Sequence, residues 1–166
     1  AFGGRIGILD PVTGTIKEIE PPPRFTLFSP VGIVVDFEGV VWLTDHGGSE
    51  IIRFDPEMNS WRKFSTSEAP PEIYPVSLPN DLEMDQNGFL WLAEHAGNKI
   101  SRFDRKTEIL TEYTIPTFRA ISLWLTIDPD GRIWFTEAEG NKIGVIDPTE
   151  LVPFSVSLSP KSIPIE

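Results

Sequence analysis

His46 and His95 are the only histidines in the chain, and each directly follows an acidic residue, Asp45 and Glu94. Imidazole beside carboxylate is the pairing that proton transfer uses: the acid fixes the tautomer, and the ring gives or takes a proton near neutral pH. The same pair is a common donor set for a divalent metal. A third acid, Glu137, follows Trp134 as Asp45 follows Trp42, without its own histidine. Asn80, Asp81 and Arg119 are expected beside these residues, on a shared face. A second reading is structural. In it Asp45, Glu94 and Glu137 bond backbone amides of their loops, and the histidines are carried along by duplication. Recurrence of a residue in every copy favours this second reading, since one reaction needs its base only once.

The spacing of the two histidines is 49 residues, and that number belongs to a repeat. The unit from Gly88 through Trp91, Glu94, Asn98 and Lys99 to Asp104 recurs from Gly39 to Asp55 and from Gly131 to Asp147. Its second half alone stands at Gly4–Asp10. The closing aspartates Asp10, Asp55, Asp104 and Asp147 are 45, 49 and 43 apart, and Trp42, Trp91 and Trp134 keep the same step. A period in the mid-forties fits one four-stranded blade of a β-propeller.

Turn chemistry divides each unit into strands a to d. Strand a ends in Asp36-Phe37-Glu38-Gly39, Asp85-Gln86-Asn87-Gly88 or Asp128-Pro129-Asp130-Gly131. There Asp accepts bonds from the turn backbone and Gly takes the left-handed position. Strand b carries the Trp, strand c ends at the closing Asp, and Asp10-Pro11 or Asp55-Pro56 opens the turn into strand d. Pro21-Pro22-Pro23 and Pro70-Pro71 connect the units. No stretch has helical periodicity, so the predicted fold is all β: a propeller of four-stranded antiparallel blades. Trp42, Trp91 and Trp134 are expected to be structural, filling the space between blades. The Asp-x-x-Gly turns lack the bidentate Glu of a calcium loop.

The expected arrangement is one incomplete propeller domain over 1–166. It has a partial blade at about 1–20, blades at about 28–66, 77–115 and 120–158, and the opening of another at 159–166. The chain therefore reads as part of a larger ring.

Composition narrows the partners. Fourteen basic against 25 acidic residues give a formal charge of −11 and a pI near 4.6. Such a field repels phosphate backbones, so no nucleic acid is expected. No run of 18 apolar residues exists, so no membrane insertion is expected either. There are no cysteines, hence no disulfides or thiolate metal sites. A small molecule or a protein remains as partner, as do missing blades from the same or another chain. A location outside the cytoplasm, extracellular or periplasmic, is favoured.

The motif Pro-x-x-Ile-x-x-Asp-x-x-Gly-x-x-Trp-Phe-Thr-Glu-x-x-x-Asn-Lys-Ile-Gly is clearest at Gly131–Gly144, with Trp134-Phe135-Thr136-Glu137 and Asn141-Lys142-Ile143-Gly144. It resembles the virginiamycin B (streptogramin) lyase family, with propellers of the NHL type as the nearest alternative. The resemblance covers nearly the whole chain and implies a seven-bladed ring. It also implies Mg²⁺-assisted elimination that opens a cyclic depsipeptide, with a catalytic His just after the Pro that opens strand a. The positions matched here are Val31, Asn80 and Ile121, with Lys161 in the tail, and none is His. The reading is therefore a binding or scaffold domain. The alternative is a lyase whose base lies in blades absent from this chain.

Overall fold

The computed structural model describes residues 4–66 and 77–149, and every regular element among them is a strand. A short pair opens the chain, β1 (Ile6–Leu9) and β2 (Ile16–Ile19). It is followed by a four-stranded sheet of β3 (Pro30–Val35), β4 (Val41–Asp45), β5 (Glu50–Asp55) and β6 (Ser60–Ser65). A second four-stranded sheet holds β7 (Pro79–Met84), β8 (Phe89–Glu94), β9 (Lys99–Asp104) and β10 (Ile109–Thr114). The last has β11 (Leu125–Ile127), β12 (Ile133–Glu137) and β13 (Lys142–Ile146). All pairings are antiparallel between sequence neighbours, which is the blade meander. The expected fourth strand of the last sheet, near 152–158, and the tail at 159–166 lie outside the described residues.

One aspartate builds each a–b turn. Asp36 Oδ1 accepts from the N–H groups of Glu38 and Val40 at 3.0 and 2.9 Å, while Gly39 supplies the left-handed residue at φ +83°. Its other oxygen accepts the indole N–H of Trp42 at 2.8 Å. Asp85 treats Asn87, Phe89 and Trp91 the same way, and Asp128 does so with Asp130, Arg132 and Trp134. The six-residue spacing from Asp to Trp is therefore a hydrogen bond, which pins strand b to the turn before it. The indole has a polar partner as well as an apolar bed.

The sheets stack face on face around three apolar layers. Ile6, Phe25 and Leu27 meet Leu43, Ile52, Phe54 and Trp61 between the first two sheets. Trp42, Ile51 and Phe64 meet Leu82, Leu90 and Phe103 in the next layer. Trp91, Ala93 and Ile100 meet Leu125, Ile133 and Phe135 in the third. Trp42 and Trp91 are 2% and 0% exposed in these layers. Trp134 departs from the expected role. It is 37% exposed, because no sheet among the described residues lies against its face.

The innermost strands touch most closely. A Cβ at Gly32 would come within 2.9 Å of Leu82 N and 3.1 Å of Asn80 O. Thr44 Oγ1 accepts from Gly32 N and donates to Asn80 O, both at 2.8 Å, and so links β3, β4 and β7. Arg105 joins the same two sheets at their opposite end, donating to the Asp36 carboxylate, to Glu38 at 3.0 Å and to Gly88 O at 2.7 Å.

Candidate functional site

The end of strand b and the approach to strand a meet on one face of each sheet. His46 N donates to Ser29 O and His95 N to Leu78 O, at 3.0 and 3.3 Å. The two side chains reach across adjacent sheets and touch: His46 Nε2 lies 3.1 Å from His95 Nδ1, with the rings nearly parallel at 17° and 4.9 Å between centroids. Both rings are half-buried. Burial is the main force lowering each imidazole's proton affinity. For His46 the nearby Asp45 carboxylate works against it. For His95 the neighbouring His46 adds to it, and a hydrogen bond with the Leu78 backbone opposes it.

When both rings are neutral, one donates a hydrogen to the other, in either of two tautomer arrangements. Whichever ring donates, one of the two remaining nitrogens carries a hydrogen and the other a lone pair. These two nitrogens lie on the far sides of the rings from the contact and are the positions a ligand could engage.

The acids do not join this pair. Asp45 is fully buried and accepts from Phe28 N at 2.8 Å and Ser29 N at 2.6 Å. Glu94, also fully buried, accepts from Ser101 Oγ at 2.5 Å. Glu137 occupies the same register position, but Gly144 stands where Ser101 would be. Glu137 Oε2, which faces Gly140 as Glu94 Oε2 faces Gly97, lacks a hydrogen-bond partner. Asn80 donates to Leu123 O at 2.7 Å and Asp81 accepts from Leu125 N at 3.0 Å, so both staple β7 to the next innermost strand. Arg119 lies 3.9 Å from Glu139 and is largely exposed. Of the eight candidates the structure thus brings His46 and His95 into contact, while Asp45, Glu94, Asn80 and Asp81 serve the scaffold.

The matching of strand-a positions needs one correction. Ala138 N bonds Ile121 O as His95 N bonds Leu78 O, so Ile121 matches Leu78. Leu123, not Ile121, is the counterpart of Asn80 and Val31. The spacing agrees, since Val31, Asn80 and Leu123 each stand five residues before the turn aspartate, Asp36, Asp85 or Asp128. The corrected set, Val31, Asn80 and Leu123, still holds no histidine.

Mg²⁺ prefers several oxygen ligands. At the contact the facing donors are two imidazole nitrogens, and the flanking Asp45 carboxylate is held by loop amides. Among the described residues no group of three or more His, Asp or Glu side chains is placed to hold a metal. These residues do not fit Mg²⁺.

The profile of the virginiamycin B lyase family matches residues 3–165. The chain belongs to this family. Solved structures agree. A streptogramin B lyase superposes with a TM-score of 0.74 at 26% identity, covering 98% of this chain and 48% of that one. The virginiamycin B lyase of Staphylococcus aureus gives 0.72 at 27%, with 98% and 49% covered. A catalytically inactive His-to-Ala form of the S. aureus enzyme, solved with quinupristin, gives 0.73 at 23%, again with 98% and 49% covered. The chain thus spans about half the length of these lyases. The extracellular domain of a hybrid two-component system protein from B. thetaiotaomicron shares the fold, with a TM-score of 0.64 at 23% identity over 89% of this chain and 19% of that one. A comparison with curated proteins finds none that matches. Membership of the virginiamycin B lyase family accounts for the repeated Asp-x-x-Gly-x-x-Trp turn, and the fold is that of a partial β-propeller.

Proposed function

We propose that this chain is the ligand-binding part of a virginiamycin B lyase-like propeller. Its loop face recognises a small molecule such as a cyclic peptide, or a protein partner. The observation that carries this reading is the contact of the two half-buried histidines, His46 and His95, across adjacent sheets on the loop face. The absence of His at Val31, Asn80 and Leu123 favours binding over chemistry for these residues. The extracellular neighbour supports a location outside the cytoplasm. Titration with quinupristin, followed through the imidazole resonances, tests the proposal. Saturable shifts are expected, together with at least tenfold weaker binding in a His46→Gln/His95→Gln double variant at unchanged melting temperature. Equal binding by the double variant would defeat it.

The family match over nearly the whole chain supports a second reading, that the full-length protein is a lyase whose base lies outside the described residues. Elimination opens a depsipeptide without change of mass, whereas hydrolysis adds water. A Mg²⁺-dependent linear product of unchanged mass from the full-length protein would establish the lyase; intact ligand would exclude it.

A further inference from the structure

A second place of recognition lies at the opposite end of the sheets, among the a–b turns, and is independent of the loop-face proposal. In each turn one oxygen of the first Asp holds the indole of the Trp six residues on. In two of the three turns a guanidinium engages that same oxygen. Arg105, reaching back from the turn after β9, donates to Asp36 Oδ2 and to Glu38. Arg132, from the start of strand b in its own unit, donates to Asp128 Oδ2 at 2.8 Å and to Asp130 at 2.9 Å. The two arginines occupy different positions of the repeat, yet converge on one constellation: turn Asp, turn acid, indole N–H.

The middle turn keeps the Asp and the indole N–H, has Asn87 where the others have an acid, and has no arginine. The residue matching Arg105 is Pro148, and the residue matching Arg132 is Phe89. What stands there is a cleft of about 350 Å³, lined by Glu83, Asp85, Asp128, Asp130, Pro148 and Thr149 among others. Of the three acceptors that Arg105 uses one unit earlier, the lining keeps two, Asp85 for Asp36 and Gly131 for Gly88, while Asn87, with its amide oxygen, replaces Glu38. Four carboxylates line the cleft in all, those of Glu83, Asp85, Asp128 and Asp130. Glu83 accepts from Ile127 N at 3.1 Å, and Asp128 and Asp130 are engaged by Arg132. A planar fork of N–H donors matches a carboxylate oxygen and a carbonyl better than a compact ammonium does.

We propose that the cleft between the Asp85 and Asp128 turns binds a guanidinium group from outside the chain, as Arg105 fills the equivalent place from within. The chemistry belongs to an arginine side chain of a partner or to a small guanidinium compound.

The indole N–H of Trp91, bonded to Asp85 Oδ2 at 3.0 Å, is a local reporter. N-acetyl-arginine methylamide and methylguanidinium are titrated to about millimolar concentrations, where single-group ligands bind, while the Trp side-chain N–H resonances are followed. A saturable shift confined to Trp91 is expected from both compounds, with Trp42 and Trp134 unmoved. A shift only with the arginine derivative assigns the site to arginine side chains. An equal shift with N-acetyl-lysine methylamide, or with Mg²⁺ or Ca²⁺, overturns the proposal in favour of a general cation site. No shift overturns it outright. Asp85→Asn would abolish binding, but it also weakens the turn. Pro148→Arg is therefore the decisive variant. It supplies the missing side chain, so melting should rise and added arginine should bind at least tenfold more weakly; unchanged binding by Pro148→Arg would refute the assignment.

Discussion

His46 and His95 couple stability to pH in a definite direction. Their folded-state proton affinities are lowered, mainly by burial, so below an ordinary histidine value near 6.5 the unfolded chain binds more protons than the folded one. Stability from this pair is complete above that value and is lost as pH falls through it. Thermal melting between pH 7.5 and 5.5 should therefore fall more steeply in the wild type than in the His46→Gln/His95→Gln variant. Parallel profiles would show that the rings ionise freely. The turn aspartates act in a separate, more acidic window. Asp128 is drawn down to about 2, first by the Trp134 indole N–H, with burial opposing it and the Arg132 backbone and guanidinium lowering it further, and its contribution is lost only as pH falls from about 4 towards that value.

At this scale the sequence was legible where a side chain acts on its own neighbours. The Asp-x-x-Gly turns, with Gly39, Gly88 and Gly131 left-handed, and the shared position of the histidines could be read from spacing. The contact between the rings could not, because it depends on how two sheets stack. Nor could the Asp–Trp bond: the spacing was visible, but only the turn's curvature brings the indole N–H back to the carboxylate. Arg105 was invisible as a tether, since its partners Asp36 and Glu38 lie almost 70 positions away.

Individual strands were placed by their alternation and turns, and the observed order follows the chain in each sheet. What alternation cannot give is which sheet covers which Trp. Denaturant unfolding should separate the two cases. Trp42→Ala removes a fully packed indole and should cost about 3–5 kcal/mol. Trp134→Ala should cost less than half as much, since part of that ring already meets solvent. Equal losses would mean that Trp134 is covered in solution. Gly32 makes a different point, about distance. Gly32→Ala forces a methyl against the backbone of β7 and should destabilise by about 1–3 kcal/mol; a neutral result in the same assay would mean that the innermost strands give way easily.

Across the whole molecule, the described residues leave two apolar surfaces uncovered, one at each end of the stack. Trp124, Trp134, Ile143 and Val145 share the far face of the last sheet. Val31, Ile33 and Val35 stand on the near face of β3, where the two-stranded first sheet offers no inner strands. Surfaces of this kind are sites of association. Sedimentation of the isolated chain should show concentration-dependent growth, and Trp124→Ser/Trp134→Ser should suppress it. A monodisperse wild type at all concentrations would indicate that both surfaces are already satisfied.

These two ends are unlike one another, and that asymmetry limits what growth can produce. A patch that meets its own copy stops at a pair; a patch that fits only a different patch leaves one free end at every step. Copies of this chain would therefore add with a fixed direction, each new arrival presenting what the previous one used up. The products would form a ladder of sizes unless the curvature happened to bring the last copy round to the first.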